Sequence, residues 1–220
     1  MAGMLTDDPQ FTETTFHVID FETTTPRGYR PEPIEVGVIS LRIHGGQLIE
    51  TARFTELMKP PPHAPVTSFD VGQTGISPGM VKDKPAAAEV LANLDALLVP
   101  AEPSLLVAHN AHIEAGVLYD YREHCTRLAH THLIDTIRLA KVIYPALPSH
   151  GLDALMTTLG IPRPPDRHRA MADVEVTADL FGRLLGAGIE ENRWRSLKQI
   201  RKEAGLEARA AMPEQQTLFD

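Results

Sequence analysis

The chain has 220 residues, 43% of them apolar, with one cysteine and a formal net charge of -8. That is enough to bury a large core, which argues against wholesale disorder, and a lone Cys125 excludes an internal disulfide framework, so a reducing cytoplasm is expected. The negative balance argues against a general nucleic-acid-coating protein but not against an enzyme whose carboxylates hold metal ions. The start, MAGMLTDDPQ, lacks the basic and apolar regions of a signal peptide, and no run reaches the roughly 18 apolar residues of a membrane span, so no membrane partner is expected.

Residues 1–12 read as an N-terminal tail. TFHVIDFET reads as a first strand and IEVGVISLRI as a second, with Gly45-Gly46 marking a hairpin into a third, QLIETARFTELM. After the breaker KPPPHAP, PAAAEVLANLDALLV carries apolar residues at helical spacing. SLLVAH is a short continuous apolar run, which suits a buried parallel strand. IEAGVLYDYREHC reads as a helix, LIDTIRLAKVIY as a strand end that becomes a helix, and GLDALMTTLG as a helix closed by Gly160. MADVEVTADLFGRLLGAG is an amphipathic helix. The order predicts an α/β fold, a mixed sheet flanked by helices, over residues 13–188. Residues 189–208 read as a basic helical appendage and 209–220 as a disordered tail.

Within the first strand, Asp20 and Glu22 are separated by Phe21 and share one face. Two carboxylates that close repel unless a positive charge sits between them. Further acids follow at places where α/β sheets put ligands. Glu114 opens the helix after the strand LLVAHN, and Asp173 lies in the first turns of the helix that His168 precedes. Asp20, Glu22, Glu114 and Asp173 fit the demand of two divalent cations about 4 Å apart, a pair able to clamp the attacking and leaving oxygens of a phosphodiester. His168 has the chemistry to take a proton from the attacking water.

These residues occur in IDFETT, LVAHNAHIEAGVL and HRAMADVEVTADL, with TGISPGMV, IDTIRLAK and GLDALMTTLGI in order between and around them. The chain thereby resembles the DEDDh 3′→5′ exonucleases of the DNA polymerase III epsilon-subunit type, including stand-alone, exonuclease X-like members, over residues 14–187. The resemblance implies a ribonuclease-H-like fold, two Mg²⁺ or Mn²⁺ ions on Asp20, Glu22, Glu114 and Asp173, and His168 as catalytic base. It also implies release of nucleoside 5′-monophosphates from a nucleic-acid 3′ end, DNA rather than RNA, in repair or proofreading. Thr23, Thr24 and Asn110 would meet the terminal nucleotide, and Thr74 to Val81, with Ile76, would shape its pocket. The chain departs from the pattern at Glu114, where the family has Asp. The extra methylene moves the ligand oxygens outward, and the alternative reading is a DNA-end-binding adaptor with weak or no catalysis.

Other polar residues carry simpler expectations. Asp135 resembles a helix N-cap. Glu35 either faces the cleft or decorates a strand. The basic helix around Arg193, Arg195, Lys198, Arg201 and Lys202 either tracks a nucleic-acid backbone or is a solvated face, with Trp194 packing inside. At the C-terminus, Gln215, Leu218 and Phe219 form Q-x-x-L-F, which looks like a bacterial sliding-clamp-binding peptide.

Overall fold

The computed structural model describes residues 4–98, 103–165 and 167–212, so the peptide Gln215, Leu218 and Phe219 lies outside the described residues. In chain order, a 3₁₀ turn (Leu5–Asp7) and α1 (Pro9–Glu13) lead into β1 (Thr15–Thr23), β2 (Pro33–His44) and β3 (Gln47–Leu57). Helices α2 (Ser68–Thr74), α3 (Pro78–Val81) and α4 (Ala87–Leu98) precede β4 (Ser104–Ala108). Then come α5 (His112–Asp120), α6 (Thr126–His130), β5 (Leu133–Asp135), α7 (Thr136–Ile143), α8 (Leu152–Leu159) and α9 (Ala170–Glu190). α10 (Leu197–Ala204), β6 (Gly205–Leu206) and a 3₁₀ turn (Arg209–Ala211) close the described chain.

The strands form one mixed sheet in the order β3-β2-β1-β4-β5-β6. β1 is antiparallel to β2 and parallel to β4, β5 runs parallel to β4, and β6 is antiparallel to β5. The β2–β3 hairpin turns at Gly45 and Gly46, whose φ values of 58° and 79° suit a two-residue turn with both central residues left-handed. Alternation along β1 sends Phe16 and Val18 into one core cluster, with residues of α7, α8, α9 and α10. Ile19 and Phe21 go into another, with residues of α4, α5 and α6. Asp20 and Glu22 therefore point to the same side as Phe16 and Val18, toward α9. Each layer supplies large apolar side chains, and burying one stabilises by about 1.5–3 kcal/mol.

Two terminal segments are more deeply engaged than their composition suggests. The stretch read as an N-terminal tail sinks Leu5 and Phe11 into the core, and the Phe11 ring lies 5.8 Å from that of Phe16. Asp8 accepts a hydrogen bond from the Leu197 N–H at 2.7 Å, tying the start of the chain to α10. At the other end, Trp194 is buried against Gly188, where a Cβ would lie 2.0 Å from its ring. Leu197, Ile200 and Ala204 join the same core, and β6 extends the sheet. Arg193, Arg195, Lys198, Arg201 and Lys202 all face solvent.

Candidate active site

β1 carries Asp20 and Glu22 to the edge of α9, and α9 brings Asp173 down to meet them. One carboxylate oxygen from each of the three lies within 4.8 Å of the others. This convergence depends on β2. Asp20 is the register partner of Gly37, and a Cβ on Gly37 would lie 2.8 Å from the Ala170 carbonyl carbon and the Met171 nitrogen. Only glycine lets the first turn of α9 press this close to the strand. Two residues earlier, buried Glu35 accepts hydrogen bonds from Arg169 Nη2 at 2.5 Å, Arg169 Nε at 3.0 Å and the Ala170 N–H at 2.9 Å. A carboxylate at a helix N-terminus satisfies an otherwise orphaned N–H and complements the helix dipole. Glu35 thus faces α9 and pins it, which settles the alternative its sequence left open.

His168 precedes α9 in a left-handed conformation, φ 73°, uncommon for a residue with a Cβ. Its N–H points to Asp173 Oδ1 at 3.5 Å, and its side chain is exposed. Glu114 sits in the first turn of α5 and is 2% exposed. Its Oε2 is buried without a hydrogen-bond partner, and the charge of Asp20 acts on it, yet it stands outside the tight group of three. The turn that launches α5 is held by Asn110, which is exposed with φ 65°, and by His109, whose Nδ1 lies 2.9 Å from Thr136 Oγ1. Asp135 caps α7, accepting from the Ile137 and Arg138 N–H groups, as the sequence indicates.

Burial and mutual repulsion govern the charge state. Asp20 is pushed up to about 7, mainly by burial and then by Asp173; Arg167 opposes the shift and Glu35 adds to it. Burial, followed by Asp20, Asp173 and Glu35, pushes Glu22 up to about 9 against the pull of Arg167. Burial and then Asp20 raise Glu114 as well. Asp173 is also raised by burial, against the counteracting charge of Arg167. A cation among these acids would offset both their burial and their mutual repulsion. The donor set is all oxygen and hard, with one buried carboxylate oxygen left unpaired, which fits Mg²⁺ or Mn²⁺ better than softer metals.

Not every expected residue is where a substrate could reach it. Thr24 is fully buried, and its N–H and hydroxyl both donate to the Glu32 carbonyl, at 2.8 and 3.4 Å. It shapes the β1–β2 loop rather than meeting a nucleotide. Ile76 is also fully buried, packed with Ile34, Val66 and Val81, because Gly75 (φ 69°) turns the chain inward after α2. Thr23, at the end of β1, is half-buried and Asn110 is exposed, so both stay accessible. The sequence reading missed Arg167. Its guanidinium ion-pairs with Asp173, and the only signal was a base next to the HRAMAD motif.

Comparison with known proteins agrees with this geometry. The RNase_T family model, described as exonuclease, matches residues 17–181. The DNA polymerase III PolC-type protein of Thermotoga maritima is 35% identical over 182 residues, 82% of this chain but 12% of that protein. A DNA polymerase III subunit epsilon-like protein of Rhodobacter capsulatus is 35% identical over 79% of this chain and 24% of its own length. The chain thus spans under a quarter of the length of these relatives. Among solved structures, the nuclease domain of 3′hExo, a DEDDh family member, bound to rAMP, superposes with a TM-score of 0.71 at 20% identity, covering 83% of this chain and 96% of that one. Exonuclease X in complex with 5′ overhanging duplex DNA superposes with a TM-score of 0.60 at 22% identity, over 85% and 98% of the two chains.

Proposed function

This chain belongs to the RNase_T family of exonucleases, and on that premise we propose that it removes nucleoside 5′-monophosphates from the 3′ end of DNA in repair or proofreading. The observation that carries the reading is the convergence of Asp20, Glu22 and Asp173 oxygens within 4.8 Å, with Glu114 buried beside them. These four carboxylates would hold two divalent ions, Mg²⁺ or Mn²⁺, which when bound supply Lewis acidity and a more acidic water. His168 takes the proton of the attacking water. Its exposed side chain can approach a substrate and return the proton to solvent. Thr23 and Asn110 lie where they can contact the terminal nucleotide. DNA is favoured over RNA because the two relatives above are DNA polymerase III proteins by name.

The test is release of mononucleotides from a 3′-labelled DNA strand in Mn²⁺ or Mg²⁺, with a 5′-labelled strand and an RNA strand in parallel. Asp20→Ala and Asp173→Ala should each abolish release without unfolding the chain, and chelation should do so reversibly. Activity surviving both substitutions and chelation would sink the reading. One observation favours the second reading, a DNA-end-binding adaptor with weak chemistry: Glu114 stands outside the tight group of three. An adaptor would bind 3′ ends at normal affinity yet release nothing in Mn²⁺. Under either reading, Gln215, Leu218 and Phe219 dock on a sliding clamp, with affinity on the order of micromolar for so short a peptide. Calorimetry of the C-terminal peptide against the clamp, with and without Leu218→Ala, decides that point.

A further inference from the structure

The carboxylate group already has a cation of the chain's own against it. Arg167 precedes His168 in the non-helical segment between α8 and α9, and its side chain is only 10% exposed. The guanidinium ion-pairs with Asp173, and its Nε lies 3.2 Å from Asp153 Oδ1 on α8. Its charge also reaches Asp20 and Glu22. We propose that Arg167 is an exchangeable counter-cation, neutralising the carboxylate group in the metal-free chain and leaving it when divalent ions enter. This rests on the reading of Asp20, Glu22, Glu114 and Asp173 as a divalent-cation site.

Three features support exchange over a fixed structural ion pair. The first is charge. One guanidinium acts on Asp20, Glu22 and Asp173 in a site of four carboxylates, while Glu35 is matched by Arg169. Two divalent ions would balance the four, and each would attract them more strongly than a single positive charge at similar distance. The second is desolvation. Nε and Nη1 of Arg167 are both buried, and the partners they have are the carboxylates of Asp153 and Asp173. A buried ion pair carries a desolvation penalty that offsets much of its Coulomb attraction, which favours release. The third is a route out. Asp153 is 51% exposed, so a guanidinium pivoting about that carboxylate moves into water while keeping one ionic partner. A metal ion on Asp173 competes with the guanidinium for the charge of that carboxylate, so entry of one weakens the hold on the other.

The wild-type chain can be tested directly. Phenylglyoxal modifies accessible arginines, and peptide mass spectrometry locates the adducts. Arg167 should be protected in chelator and several-fold more reactive in Mg²⁺ or Mn²⁺, while exposed Arg193 should not change. Calorimetry with Mn²⁺ alone gives the second readout. Arg167→Gln should bind at least about tenfold more tightly than wild type, because the competing charge is gone. Arg167→Lys should return toward wild-type affinity. Labelling that is unchanged or reduced by metal overturns the proposal, and so does a Gln variant that binds no more tightly. If both proteins bind Mn²⁺ equally, this proposal alone falls. If neither binds it, the cation reading under the proposed function falls with it.

Discussion

At the scale of single residues, the decisive question is what one methylene does at Glu114. The side chain lies on α5 beside the carboxylates of β1 and α9, and its buried Oε2 has no hydrogen-bond partner. Glu114→Asp should withdraw the carboxylate by about one C–C bond and lower kcat on the order of tenfold to hundredfold, since misplacements near 1 Å carry that penalty. Glu114→Ala should be inactive. A Glu114→Asp rate equal to or above wild type would show that the present reach of Glu114 is not what the chemistry uses. His168→Ala should slow turnover by roughly 10²–10⁴-fold while Mn²⁺ binding persists, measured by calorimetry beside the kinetics. Asp20 and Glu22 were legible as a pair because strand alternation fixes which residues share a face, whereas Glu114 and Asp173 stood out through the motifs LVAHNAHIEAGVL and HRAMADVEVTADL. Ile76 and Thr24 were not legible, because burial depends on how the α2–α3 turn and the β1–β2 loop fold back, and no local periodicity encodes that.

At the scale of elements, the site is a matter of where α9 begins. β2 sets that position twice, by the absence of a side chain at Gly37 and by the carboxylate of Glu35 on Arg169 and Ala170. Gly37→Ala would drive a Cβ into the backbone of Ala170 and Met171. It should cost about 1–3 kcal/mol of stability as α9 shifts. Asp173 rides on that first turn, so kcat should fall even at temperatures where the variant is fully folded. A thermal melt together with activity at low temperature separates the two effects. If activity is untouched while stability drops, α9 and Asp173 are not coupled as the contact implies. The long helices and the β2–β3 hairpin were readable because apolar spacing and Gly-Gly turns are local signals. β6 was not, since two residues carry no period, nor were Leu5 and Phe11, which look like isolated apolar residues in a polar leader until they meet Phe16 and α10.

For the whole molecule, the carboxylate group makes stability depend on pH in a direction opposite to ordinary acid denaturation. Asp20 and Glu22 are raised to about 7 and about 9 from the usual 3.8 and 4.5. The folded chain therefore holds protons that the unfolded chain has already released, and the difference favours folding at low pH. That stabilisation is lost progressively from about pH 4 up to 7 for Asp20 and up to 9 for Glu22, so metal-free stability should fall across those windows. His17 and His109 act in the opposite sense. Burial lowers both to about 4 from 6.5, so the folded chain binds fewer protons than the unfolded one between those values and gains stability as pH rises through that window. The histidine window ends at 6.5, so between about 7 and 9 Glu22, still losing its proton in the folded chain, decides the sign. Melting temperatures in chelator should decline across that range. Divalent cations bind the ionised carboxylates and stabilise the folded state by mass action, so in Mg²⁺ or Mn²⁺ the decline should flatten or reverse. Replacing both acids, Asp20→Asn with Glu22→Gln, should remove most of the slope in chelator and most of the stabilisation by metal. A wild-type melting temperature that holds steady or rises from pH 7 to 9 in chelator would mean that these carboxylates ionise as freely as in water, and the case for a cation between them would lose its electrostatic basis.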